Sequence, residues 1–252
     1  MTIESQSDID GIMAAGRVVA MVRDTMLGAV EPGMTTQELD DIGSGLLEEF
    51  GAESAPRITY DFPGATCISV NEEAAHGIPG SRMIRAGDVV NVDVSASLNG
   101  YFADTGGTTV VPPISSTKAR LCHATRLALS HAVSEARAGA KINRIGKAIQ
   151  SVAKAHRFKI IRNLAGHGIG HALHEEPEGI VGYYDSRDSR VLNAGQVIAI
   201  EPFLSTKSTY VDEGQDGWTL VGHRSNLSAQ YEHTIIVTNG APIVATRSAI
   251  SG

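Results

Sequence analysis

Asp93 closes the apolar run Val89-Val90-Asn91-Val92, where a charged side chain is expensive to bury without a partner. Asp104 follows eleven residues later, and Leu98-Asn99-Gly100 between them has hairpin-turn chemistry. A fold about residues 98 and 99 sets 93 opposite 104, and opposed residues of an antiparallel pair share one face. Adjacent carboxylates repel unless one is protonated or a cation lies between them, and a metal ion is the simplest resolution. Glu201 repeats the pattern after Val197-Ile198-Ala199-Ile200, where Pro202 stops the strand at the carboxylate. Glu232 mirrors it ahead of Ile235-Ile236-Val237. In Gly166-His167-Gly168 the flanking glycines leave the imidazole accessible, a candidate nitrogen ligand. Taken singly, these are also what hairpin edges, strand ends and loop histidines look like; four carboxylates at the borders of apolar strands weaken that reading. Mixed carboxylate and imidazole ligation without thiolates suits Mn, Fe(II), Co or Zn, and ligand type alone does not choose among them.

The elements that must position these groups are readable as well. Ile12, Ala15, Val19, Val22, Met26 and Val30 form an amphipathic stripe that predicts a helix over 9–30. Thr35 and Glu38 have capping-box spacing, and Leu39, Ile42, Leu46 and Phe50 predict a second helix ended at Gly51. Strands are expected over 67–70, 89–96 and 101–111. Helices are expected again over 119–138 and 142–156, followed by glycine-rich turns and apolar strand-like runs. The order helix, helix, strands thus occurs twice. Ala86-Gly87-Asp88-Val89-Val90-Asn91-Val92-Asp93 resembles Ala194-Gly195-Gln196-Val197-Ile198-Ala199-Ile200-Glu201, and His76-Gly77-Ile78-Pro79 echoes His167-Gly168-Ile169-Gly170. A duplicated fold brings the carboxylates together across a pseudo-twofold axis.

Composition bounds the function. The chain has 252 residues, 28 acidic against 21 basic for a net charge of −7, so a broad nucleic-acid or anionic-membrane surface is disfavoured. Hydrophobic content of 42% and charged content of 19% describe a folded protein rather than a disordered tail. Cys67 and Cys122 form no CxxC pair, which argues for a reducing compartment, and the N-terminal residues lack a signal-like pattern. A cytoplasmic location is expected.

His76-Gly77-Ile78-Pro79, Asn91-Val92-Asp93-Val94, Asp104-Thr105, Gly166-His167-Gly168-Ile169-Gly170, His174-Glu175-Glu176-Pro177, Ile200-Glu201-Pro202 and Ser228-Ala229-Gln230-Tyr231-Glu232-His233-Thr234 occur in order along nearly the whole chain. Together they resemble type I methionine aminopeptidases. The resemblance implies an α/β pita-bread fold with two pseudo-symmetric αβ halves, their central antiparallel sheets around a dinuclear metal site. It implies one catalytic domain over 1–252, with halves of about 9–112 and 117–247. It assigns Asp93, Asp104, His167, Glu201 and Glu232 to two divalent ions, with Asp104 and Glu232 bridging. Four carboxylates and two divalent cations cancel in charge. Glu201 is then the proton carrier, His76 and His174 contact the substrate amide, and Phe62, Cys67 and Trp218 form the methionine pocket. Two positions depart from the family: Thr59 stands where many members have tyrosine, and Leu173 where they have phenylalanine.

The implied reaction is removal of the initiator methionine from nascent proteins and peptides with a small second residue. The implied partner is a peptide N-terminus, with room for a transient ribosome contact, no specific nucleic acid, no membrane and a monomeric state. One rival is a noncatalytic pita-bread binding protein, which need not keep metal ligands. Another is an Xaa-Pro peptidase or creatinase-like hydrolase of the same fold, which usually carries an additional N-terminal domain. The 31 residues from Glu201 to Glu232 also leave no space for the insertion typical of type II methionine aminopeptidases.

Overall fold

A computed structural model of the chain describes residues 1–248. Two helical pairs each back a sheet. Helix α1, Gln6–Ala29, turns Ile12, Ala15, Val19, Val22 and Met26 into the core. It begins three residues before the predicted start because Ser5 and Asp8 form a capping box that the apolar stripe does not signal. Helix α2, Thr36–Glu49, has the predicted Thr35–Glu38 box, and Gly51 just beyond it adopts φ 67. A short helix α3, Ala55–Tyr60, leads to the strand Cys67–Val70. Helix α4 spans Ser116–Glu135 rather than 119–138, since Ser115 caps it by accepting from the Lys118 N–H. Helix α5 is Asn143–His156.

In the first sheet, Val89–Leu98 is the interior strand, paired antiparallel with Cys67–Val70, Glu53–Ser54 and Tyr101–Val110. In the second, Val197–Ile200 is interior, flanked by Ala165–Gly168 and His233–Ile236, with Glu175–Val181 and Ile243–Val244 outside them. The two segments that match in sequence are therefore both interior strands, each delivering a carboxylate at or just past the run of apolar residues. One core lies between α1, α2 and the first sheet, and another between α4, α5 and the second. A third cluster, including Ile12, Ala55, Ile169, Leu173, Val197 and Ala199, joins them. Among the described residues no helix is long and apolar enough to cross a membrane.

The hairpin carrying Asp93 and Asp104 corrects one expectation. Its turn is Asn99-Gly100, with φ of 52 and 82, the doubly left-handed geometry of a type I′ turn. Leu98 therefore pairs with Tyr101, Asp93 lies opposite Gly106, and Asp104 lies opposite Ser95. The slip from the expected register is two residues. Because side chains alternate with a period of two, an even slip leaves both aspartates on one face.

Candidate metal centre and substrate cavity

The strand Tyr101–Val110 is joined to residues 230–234 across the seam between the two sheets. Thr234 Oγ1 accepts from the Asp104 N–H at 2.9 Å and donates to the Asp104 carbonyl at 2.8 Å. Glu232 N–H donates to the Gly106 carbonyl at 3.0 Å, and the Thr105 hydroxyl donates to the Glu232 carbonyl at 2.8 Å. These paired backbone clamps fix Asp104 and Glu232 side by side. Arg23 in turn donates to Thr105 Oγ1 from α1. His167 arrives on Ala165–Gly168, the neighbour of the strand that ends at Glu201.

Asp104, His167 and Glu232, all buried, offer ligand atoms that lie within 4.8 Å of one another. His167 Nε2 stands 3.9 Å from Asp104 Oδ2 and 3.9 Å from Glu201 Oε1. Those spans are too long for hydrogen bonds, but two ligands on ~2.1 Å bonds to one ion can stand up to ~4.2 Å apart. His167 Nδ1 lies 2.9 Å from the Gly168 carbonyl. A carbonyl only accepts, so Nδ1 carries the proton and Nε2 keeps its lone pair toward the carboxylates.

Electrostatics point the same way. Burial, then the neighbouring carboxylates, pushes Asp93, Glu201 and Glu232 well above the ordinary carboxylate range. Burial raises Asp104 to about 6 and lowers His167 to about 4. Three buried side-chain oxygens lack a hydrogen-bond partner among the described residues, and two of them are Asp104 Oδ1 and Glu232 Oε1. Orphaned carboxylate oxygens are costly. Their crowding beside a bare imidazole nitrogen is what a hard or borderline divalent cation satisfies, so the residues fit the metal expected for them.

A cavity of about 300 Å³ opens onto this cluster. Asp93, Asp104, His167 and Glu201 line its charged side, and Phe62, Cys67, Leu173 and Trp218 line its apolar side. Phe62 and Trp218 meet edge to face with centroids 5.2 Å apart, which gives the slot a stiff aromatic corner. Burial raises the Cys67 thiol well above its usual value, so it lines the slot as a neutral, polarizable group. His76 and His174 are on the wall too, both held below the usual imidazole range by burial. His76 adopts φ 54, a left-handed backbone that a non-glycine residue occupies at a cost of about 1–3 kcal/mol.

The structure therefore brings together Asp93, Asp104, His167, Glu201, His76, His174, Phe62, Cys67, Leu173 and Trp218 on one cavity wall. Glu232 is buried beside Asp104 and His167 rather than lining the cavity. Thr59 is a correction: it is exposed and does not line the cavity, and Tyr60 next to it does. The last turn of α3 directs residue 60, not 59, to the cavity. His171 packs near Tyr101, with ring centroids 5.4 Å apart and planes tilted by 40°.

Sequence reasoning missed the groups that hold the candidate ligands. Gln230 Nε2 donates to Glu232 Oε2 at 3.0 Å and lies 3.3 Å from Asp93 Oδ2, while its Oε1 accepts from Asn91 Nδ2 at 2.8 Å. Gly106 makes room for it, since a Cβ there would overlap the Gln230 carboxamide. A signal existed: Asn91 precedes Asp93, and Gln230 precedes Glu232, by two residues, the spacing that shares a strand face.

Comparison with known proteins places this architecture. Residues 10–239 match the model of metallopeptidase family M24. A Staphylococcus epidermidis (strain ATCC 12228 / FDA PCI 1200) relative named methionine aminopeptidase is 46% identical over 98% of this chain and 99% of its own length. The crystal structure of methionine aminopeptidase from Rickettsia prowazekii superposes with a TM-score of 0.93 at 33% identity, covering 98% of this chain and 100% of that one. Prolidase from Pyrococcus furiosus shares the fold at a TM-score of 0.77 and 23% identity, but this chain spans 65% of it.

Proposed function

We propose a reaction from one premise: this chain belongs to metallopeptidase family M24. Its fold is the pita-bread fold, and its activity is that of a methionine aminopeptidase, a metal-dependent hydrolase. The substrate is a protein or peptide N-terminus beginning with methionine and a small second residue. The observation that carries this is one cavity in which a carboxylate and imidazole cluster adjoins an apolar slot ending at Phe62 and Trp218. A noncatalytic binding protein has no need to keep crowded, orphaned carboxylates beside such a slot.

Asp93, Asp104, His167, Glu201 and Glu232 would hold two divalent ions. When bound, such ions activate a water and polarise the scissile carbonyl. The chain's own residues do the rest. Phe62, Cys67, Leu173 and Trp218 receive the methionine side chain and exclude water from it. The carboxylates attract the substrate's ammonium end. Glu201 accepts a proton at its side-chain carboxylate and returns it to the leaving amine, a general acid and base role. His76 and His174 contact the scissile amide and stabilise charge on its oxygen.

A transient ribosome contact belongs to the same reading. No acidic residue occurs between Glu135 and Glu175, while eight basic ones do. Lys154, Arg157, Lys159 and Arg162 line one groove in that stretch. We take the chain to be a single catalytic domain that acts as a cytoplasmic monomer.

The test is release of methionine from Met-Ala-Ser and Met-Lys-Ser peptides with added Co, Mn, Fe(II) or Zn. Metal-dependent turnover of the first and not the second is expected. Equal turnover of both, or leucine released as fast as methionine, overturns the specificity.

A further inference from the structure

Tyr60 ends α3, where Asp61 takes a left-handed conformation at φ 56, and its ring lines the cavity. The phenol oxygen lies 2.7 Å from His174 Nδ1, a contact between residues 114 apart in sequence. The rings are 5.6 Å apart between centroids. Burial, then Glu178, raises the phenol above its usual value, so it remains protonated wherever the enzyme works. A neutral imidazole has one donor and one acceptor nitrogen, and a proton donated to Nδ1 leaves the ring's own proton on Nε2.

We propose that Tyr60 is a positioning residue that holds His174 in its Nε2-protonated tautomer, so that this histidine offers substrate an N–H and not a lone pair. The neighbouring ring gives the contrast that makes this functional. His167 and His174 pack together with ring centroids 4.1 Å apart and planes tilted by 49°. His167 spends its Nδ1 proton on the Gly168 carbonyl and keeps a bare Nε2, as a ligand must. With the phenol as donor, His174 Nδ1 is occupied from the other side and its Nε2 takes the opposite polarity. Two adjacent imidazoles are thereby set to opposite tasks, one toward cations and one toward negative charge developing on the substrate oxygen. Loss of the phenol lets His174 populate the other tautomer, which turns a lone pair toward that charge.

This inference rests on the aminopeptidase reading, and the experiment separates the two. Tyr60→Phe removes the hydroxyl and keeps the ring, so slot shape is retained. With Met-Ala-Ser, kcat is expected to fall about tenfold with KM within twofold, the pattern of an interaction made in the transition state. In a His174→Ala background the same change should cost nothing further. Long-range proton–nitrogen spectra of the Zn-loaded protein should show His174 Nδ1 bare and Nε2 protonated, and a tautomer mixture in Tyr60→Phe. An unchanged kcat, an equal loss without His174, or a protonated Nδ1 in the parent protein overturns the proposal. Wild-type protein that releases no methionine defeats the aminopeptidase reading instead, while the tautomer measurement still decides this one.

Discussion

Gln230 shows how much of the centre depends on a residue that does not line the cavity. Its single carboxamide steadies Glu232 and reaches Asp93, and Asn91 orients it from behind. Outer partners of metal ligands commonly set affinity by 10–100-fold. Gln230→Ala should therefore weaken Mn binding by about 10–100-fold in isothermal titration, and Gly106→Ala should act in the same direction by displacing the carboxamide. Unchanged affinity in both would show that the carboxylates are held by their backbone clamps alone. At this scale the sequence was legible where chemistry is written in residue type: Asp93, Asp104, Glu201 and Glu232 declare themselves as charges at the borders of apolar runs, and His167 as an imidazole between two glycines. It was silent on Tyr60, because a one-residue change in the direction of a short helix leaves no periodic trace. Neutral polar residues such as Gln230 and Asn91 carry no burial anomaly strong enough to be noticed without the fold.

The elements were readable to the extent that local rules govern them. The Thr35–Glu38 capping box and the strand Cys67–Val70 stand where they were expected, since capping and β-branched patterning are short-range. The start of α1 moved to Gln6 because a second box, Ser5–Asp8, outweighs the first apolar residue of the stripe. The hairpin register moved by two because the turn requires positive φ at Asn99 and Gly100 together, and glycine meets that at little cost. Two substitutions test these causes. Thr35→Ala removes the acceptor for the Glu38 N–H and should lower unfolding free energy by about 1 kcal/mol in urea. Gly100→Val places a β-branched residue at φ 82 and should cost about 1–2 kcal/mol, with metal affinity reduced as the aspartate-bearing hairpin loosens. A hairpin variant that matches the parent in both stability and metal affinity would mean the turn does not set the register.

Across the whole molecule the buried carboxylates couple folding to pH and to cations. Asp93, Asp104, Glu201 and Glu232 all have folded-state values above those of an unfolded chain, Asp104 at about 6. As pH rises past ~4 the unfolded chain therefore gives up these protons first, and stability is lost through about 6 and beyond. The lowered carboxylates, such as Asp8 and Glu38, act with the opposite sign at lower pH, and the buried histidines His76, His167, His174 and His233, held below their usual range, act with that opposite sign up to about 6.5. Above the histidines' range the carboxylates act alone, so chelator-treated protein should melt at a lower temperature at pH 8 than at pH 7. Divalent ions bind the ionised set, so Mn should raise the melting temperature more at pH 8, with about 2.7 kcal/mol gained at 100 times its Kd. A melting temperature of the chelated protein that climbs from pH 7 to 8 would mean that the carboxylates are already paired without a cation.

Where the cations sit is the most direct question of all, and anomalous scattering from Mn-soaked crystals grown with free methionine answers it. The expected map has two peaks within bonding distance of Asp93, Asp104, His167, Glu201 and Glu232, with the thioether lodged against Phe62 and Trp218. No peak among those five side chains, in crystals of protein that still releases methionine, would contradict the account at its centre.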